Sequence, residues 1–131
     1  MIDLAILFRT INLYIHHAHN MTKGDAFHED HAFFAGLYEF ADDAYDSIIE
    51  RQIGTVSDKI DLCEIIKESH DLIEKMSDSY YENALVLLDE GTKIIDEMSK
   101  SAKLSSGTVN MLQGLSDQME VFVYKIKRKL A

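Results

Sequence analysis

Apolar side chains recur three or four positions apart through most of this chain, which is the period of an amphipathic α-helix. Leu4, Leu7, Phe8, Ile11, Ile15 and Ala18 keep that spacing and predict a helix over 2–21. Phe27, Phe34, Tyr38, Ala41, Tyr45 and Ile48 predict a second over about 26–53, closed by Gly54. Between them Thr22, Lys23, Gly24 and Asp25 read as a short turn, with Gly24 past the end of the first helix and Asp25 as the N-cap of the next. Phe33, Phe34, Tyr38, Phe40 and Tyr45 are expected in the core. Gly36 lies in mid-helix, where glycine costs about 1 kcal/mol against alanine, so it predicts the close approach of a neighbouring helix.

Residues 55–77 carry a shorter helical pattern behind Ser57 as a cap, with Cys63 expected as a small buried apolar residue. A third long helix is expected over 78–102, with Tyr81, Leu85, Leu88, Ile95 and Met98 inward. A fourth is expected over 106–129 on Val109, Leu112, Leu115, Met119, Phe122, Val123 and Ile126, after a loop of Ser105, Ser106 and Gly107. The expected class is therefore all-α, a single domain spanning 1–131. Composition agrees: proline is absent, and 47% of the residues are apolar. No apolar run approaches the roughly 20 residues of a membrane span, and no signal-peptide pattern opens the chain. A single cysteine excludes an internal disulfide and fits a reducing cytoplasm.

The candidate chemistry is concentrated between residues 19 and 50. His19, His31, Asp46 and Glu50 offer imidazole nitrogen and carboxylate oxygen, a donor mix that suits iron and zinc. On the second helix His31, Glu39, Asp42, Asp46 and Glu50 share one polar arc, and Asp46 and Glu50, one turn apart, can reach one ion together. His31 precedes Asp46 by fifteen residues, about 22 Å along a straight helix. One copy therefore cannot close the site. A second copy running antiparallel across a two-fold axis would bring its carboxylates to the first copy's imidazoles, giving two identical sites per dimer.

The spacing His19, His31, Asp46, Glu50 resembles the ferroxidase pattern of the Dps family of mini-ferritins. Lys23, Gly24 and Phe27, and Arg51 after Glu50, also fall where that family has similar residues. More weakly, the resemblance extends through 70–96 and 108–129. It implies a ferritin-like four-helix bundle with a short extra helix in the crossover between the second and third long helices. It also implies an iron-storage and detoxification protein: a ferroxidase oxidising Fe²⁺ with peroxide or dioxygen at an intersubunit site. The two imidazoles would come from one subunit and the carboxylates from its dimer mate, within a hollow dodecamer that stores ferric mineral. Zinc is the other metal expected at these ligands. Two positions depart from the family pattern: Ala35 stands where it usually has an aspartate, and Asn20 where it usually has a tryptophan. His28 and His16, each about one turn from a principal histidine, are the candidate substitute ligands.

Charge limits the partners. At −10 overall the chain opposes phosphate-driven DNA binding, and its one basic cluster, Lys125 to Lys129, reads first as cations at the negative end of a helix dipole, with a short nucleic-acid foot multiplied in an assembly as the alternative. An acidic surface suits the attraction of Fe²⁺ instead. His17 is expected to be solvated, and His70 with Glu74 to form an ordinary surface pair. Two other functions stay open: a Dps-like metal-binding cage with little ferroxidase turnover, and a helical interaction module whose histidines serve only an interface. Glu-x-x-His motifs of classical ferritins do not occur.

Overall fold

The protein's computed structural model describes residues 1–131 as five α-helices with no strand. They are α1 (Ile2–Met21), α2 (Phe27–Thr55), α3 (Leu62–Glu74), α4 (Tyr80–Ser99) and α5 (Ser106–Leu130). The chain forms two compact units, Met1–Tyr80 and Tyr81–Ala131. No helix is long and apolar enough to cross a membrane.

In the first unit α1 and α2 form an antiparallel hairpin. The stripe anticipated on α1 is the buried one: Leu4, Leu7, Phe8, Ile11, Ile15 and Ala18 are all inside. It meets Phe34, Leu37, Ala41, Ala44, Tyr45 and Ile48 of α2. Phe33, Tyr38 and Phe40 flank that core half-buried. The register is fixed by polar contacts along the seam. The Asn12 side chain donates to the Tyr38 carbonyl at 3.1 Å. The Arg9 guanidinium lies 3.1 Å from Asp42 and 3.8 Å from the Tyr45 ring centroid. α3 packs on α1 through the fully buried Ile65 and Ser69, with Leu62 and Ile66 left exposed.

Several local expectations are corrected. Asp25 does not cap α2; the chain turns at Gly24, whose φ of +89° is a conformation glycine adopts freely, and the Gly24 carbonyl accepts from Phe27 N–H at 3.1 Å. Ser57 does not start α3. Its hydroxyl accepts from Lys59 N–H at 3.1 Å in a local turn, and Asp61 caps the helix by accepting from Glu64 N–H at 3.2 Å. Cys63 is exposed, because α3 directs only Ile65 and Ser69 fully inward. Gly36 is exposed, and a Cβ built there would meet nothing within 4 Å, so neither α1 nor α3 approaches it.

In the second unit α4 and α5 are antiparallel, with the Lys129 ammonium 5.7 Å from the Tyr81 ring at one end. Leu88 and Ile95 of α4 and Leu112, Leu115, Met119 and Ile126 of α5 are buried, as their periodicity requires. α5 starts at Ser106, as its periodicity predicted; of the expected loop only Ser105 lies outside the helix, which its hydroxyl caps by accepting from Thr108 N–H at 3.2 Å, while Ser106 and Gly107 form the first turn.

Candidate metal centre

α1 ends at Met21, and Thr22 turns extended with ψ of 142°. Carbonyls in the last turn of a helix lack an intrahelical N–H partner and need another donor. The His19 carbonyl finds two. The Thr22 hydroxyl donates to it at 2.8 Å, and His31 Nδ1 donates at 3.1 Å. The tight turn at Gly24 brings α2 back against α1, so His31, one turn into α2, reaches His19. The relation is reciprocal: His19 Nδ1 donates to the His31 carbonyl at 2.8 Å. The two imidazoles stack with centroids 3.6 Å apart at an interplanar angle of 24°.

This arrangement fixes proton positions. A carbonyl oxygen only accepts, so each Nδ1 carries the hydrogen, and each neutral ring keeps its lone pair on Nε2. Neither Nε2 has a hydrogen-bond partner within the chain. Histidines that ligate metals are held in just this way, by an N–H donated from the other ring nitrogen. Each Nε2 is thereby left able to take a transition-metal ion in the plane of its own ring.

Aromatic rings wall the pair. Phe27 stacks on His31 with centroids 4.9 Å apart, and Tyr38 stands edge-on to His19 at 5.3 Å. Both histidines are half-buried. His16 is exposed, stacked on Tyr38 at 4.1 Å, with its ring 6.1 Å from that of His19. His28 is exposed and edge-on to Phe27 at 5.2 Å. His17 is exposed beside Tyr80.

Asp46 and Glu50 lie further along the unbroken α2, both exposed and one turn apart. Neither forms an ion pair or side-chain hydrogen bond within the chain, whereas Asp42 on the same arc is taken by Arg9. Fifteen residues of continuous helix set Asp46 about 22 Å from His31 along the axis. A single chain thus gathers the two imidazoles and leaves the two carboxylates apart from them.

Sequence reasoning overlooked Thr22 and Asp71. Thr22 Oγ1 also lies 3.3 Å from His31 Nδ1, a contact that depends on the turn geometry rather than on any motif. Asp71 joins His70 and Glu74 in an exposed cluster whose ligand atoms lie within 4.8 Å of one another. Its two carboxylates flank opposite nitrogens of one ring, Asp71 at Nδ1 and Glu74 at Nε2, each at 3.5 Å. All three side chains are exposed, and acidic groups beside a surface histidine are common without an ion. In the second unit a cleft of about 250 Å³ between α4 and α5 is bordered by Asp96, Ser99, Asp117 and Glu120, and no three ligand atoms converge there.

No known family model matches this chain, and no curated protein or solved structure does either.

Proposed function

We propose that this chain is a Dps-like ferroxidase with a ferritin-like four-helix arrangement. In this reading Fe²⁺ is the substrate, held by His19 and His31 of one subunit and Asp46 and Glu50 of a two-fold mate. The observation that carries the reading is the His19–His31 pair, whose Nδ1 atoms are both committed to backbone carbonyls while both Nε2 lone pairs are free. The unpaired state of Asp46 and Glu50 accords with it, since two adjacent carboxylates without a cation are available to a partner's site. So does the helix order: four helices of 20, 29, 20 and 25 residues, with one of 13 between the second and third. Exposed Ile53, Val56, Leu62 and Ile66, clustered in sequence around the start of α3, offer an apolar surface suited to a second copy.

The chemistry follows from the donor set. Neutral imidazoles and carboxylates bind Fe²⁺ while leaving positions open for an oxidant. Anionic oxygen donors stabilise Fe³⁺ more than Fe²⁺, which favours electron loss to peroxide or dioxygen. The acidic surface raises the local concentration of the cation, and a hollow assembly of such dimers, a dodecamer in the family it resembles, would retain the ferric product.

The test is the rate of Fe²⁺ oxidation by peroxide, followed by ferric absorbance, for the wild type and a His31→Ala/Glu50→Ala variant. The expected result is a loss of at least about tenfold in the variant. Equal rates would overturn the proposal. Ala35, standing where the family has a carboxylate, favours a second reading, a metal-binding cage with little turnover. Anaerobic Fe²⁺ uptake that is normal but followed by no oxidation on adding oxidant selects it.

A further inference from the structure

We infer that the outer face of α5 pairs with the same face of a second copy of this chain, antiparallel across a two-fold axis lying between Val121 and Tyr124. On its inner side α5 buries Leu112, Leu115, Met119 and Ile126. On the opposite side Gly114, Asp117, Val121, Tyr124 and Arg128 follow one another at steps of three and four, the spacing of a heptad seam. All five are exposed, Val121 at 50% and Tyr124 at 65%. Glu120 and Lys127, also exposed, flank the seam along one edge. Asp117, Glu120, Lys127 and Arg128 form no ion pair or side-chain hydrogen bond within the chain.

The order of the residues along this stripe selects the partner. Acid comes first, the apolar pair lies in the middle, and base comes last, so the stripe is complementary to its own reverse. In an antiparallel pair about this axis, Val121 meets the partner's Tyr124, Asp117 meets the partner's Arg128, and Glu120 meets the partner's Lys127. The axis repeats each contact, and the apolar centre is closed at both ends by opposite charges. A parallel pair would set Asp117 against Asp117 and Arg128 against Arg128, which repel. Gly114, at one end of the seam, costs about 1 kcal/mol in mid-helix against alanine. No atom lies within 4 Å of a Cβ built there, and a glycine on a helix seam admits the close approach of a second backbone. The face lies on a different helix from His19, His31, Asp46 and Glu50, so the pairing does not rest on the metal reading. Together with a two-fold at α2 it would join dimers into larger assemblies.

Sedimentation velocity of the full chain at low salt, with a chelator present to remove association through a metal, reads the pairing. The wild type is expected to form a larger species that grows with concentration and is weakened by salt. Asp117→Lys and Arg128→Glu each set like charges opposite one another and are expected to weaken that step at least about tenfold. Asp117→Lys/Arg128→Glu exchanges the two charges and is expected to restore it, which a change confined to one chain would not do. Far-UV circular dichroism checks the fold of each variant. Should a reversal unfold the chain, Tyr124→Ser, which removes the apolar centre, is expected to abolish the same step. Association unchanged by every one of these substitutions overturns the inference, and so does a double variant that pairs no better than the singles. Unchanged association with binding to single-stranded DNA lost in Arg128→Glu gives the basic end to nucleic acid and overturns the pairing as well.

Discussion

His19 and His31 hold each other: each Nδ1 donates to the other's main-chain carbonyl, at 2.8 and 3.1 Å, while the rings stack 3.6 Å apart. The pair is thus organised by one chain before any ion arrives. The carboxylates that would complete a site are not. Asp46 and Glu50 stand on the far part of α2, and that division predicts how the site behaves.

If imidazoles and acids come from different subunits, two defective chains can repair each other. A His19→Ala/His31→Ala chain and an Asp46→Ala/Glu50→Ala chain are each expected to be inactive in Fe²⁺ oxidation. Unfolded together in equal amounts and refolded, half of the dimers are mixed, and each mixed dimer has one intact site. Recovery of about a quarter of wild-type activity is expected. Recovery no greater than in a blend of the separately refolded chains would place the four residues in a site that is not shared.

A metal held by the folded protein alone stabilises it by mass action. With free Zn²⁺ at a hundred times its dissociation constant, the gain is about 2.7 kcal/mol, reversed by chelation. Thermal unfolding with and without Zn²⁺ should therefore show a rise in Tm for the wild type. No rise is expected for His19→Ala/His31→Ala.

Arg9 ties the two helices together next to the acidic arc. Its side chain is 24% exposed and its partner Asp42 55%, so the ion pair itself is largely solvent-screened. The guanidinium over the buried Tyr45 ring at 3.8 Å is the stronger contact. Arg9→Ala is expected to cost roughly 1–2 kcal/mol in urea unfolding. Asp42→Ala should cost under about 1 kcal/mol. A larger loss from Asp42→Ala than from Arg9→Ala would show that the ion pair dominates.

Gly36 interrupts α2 on an open face. A Cβ there meets nothing within 4 Å, so Gly36→Ala is expected to stabilise the protein by about 0.5–1 kcal/mol through reduced chain entropy. A rise in Tm checks it. A fall would mean that another chain packs against this position.

The sequence by itself determined the four long helices and the sides they bury. A period near 3.6 leaves little choice about which way Phe8, Ile15, Phe34 or Met119 must point, and all four are buried. It also determined the distance between His31 and Asp46, because an uninterrupted helix has a fixed rise. Tertiary structure decided what depends on register between helices. Whether Asp25 or the Gly24 carbonyl opens α2, and whether Ser57 or Asp61 opens α3, turned on competing hydrogen bonds of similar strength. Cys63 faces outward because α1 covers only one narrow side of α3. The reciprocal bonds of His19 and His31 exist because the turn at Gly24 sets one helix end opposite a particular turn of the next, and no residue pattern encodes that offset.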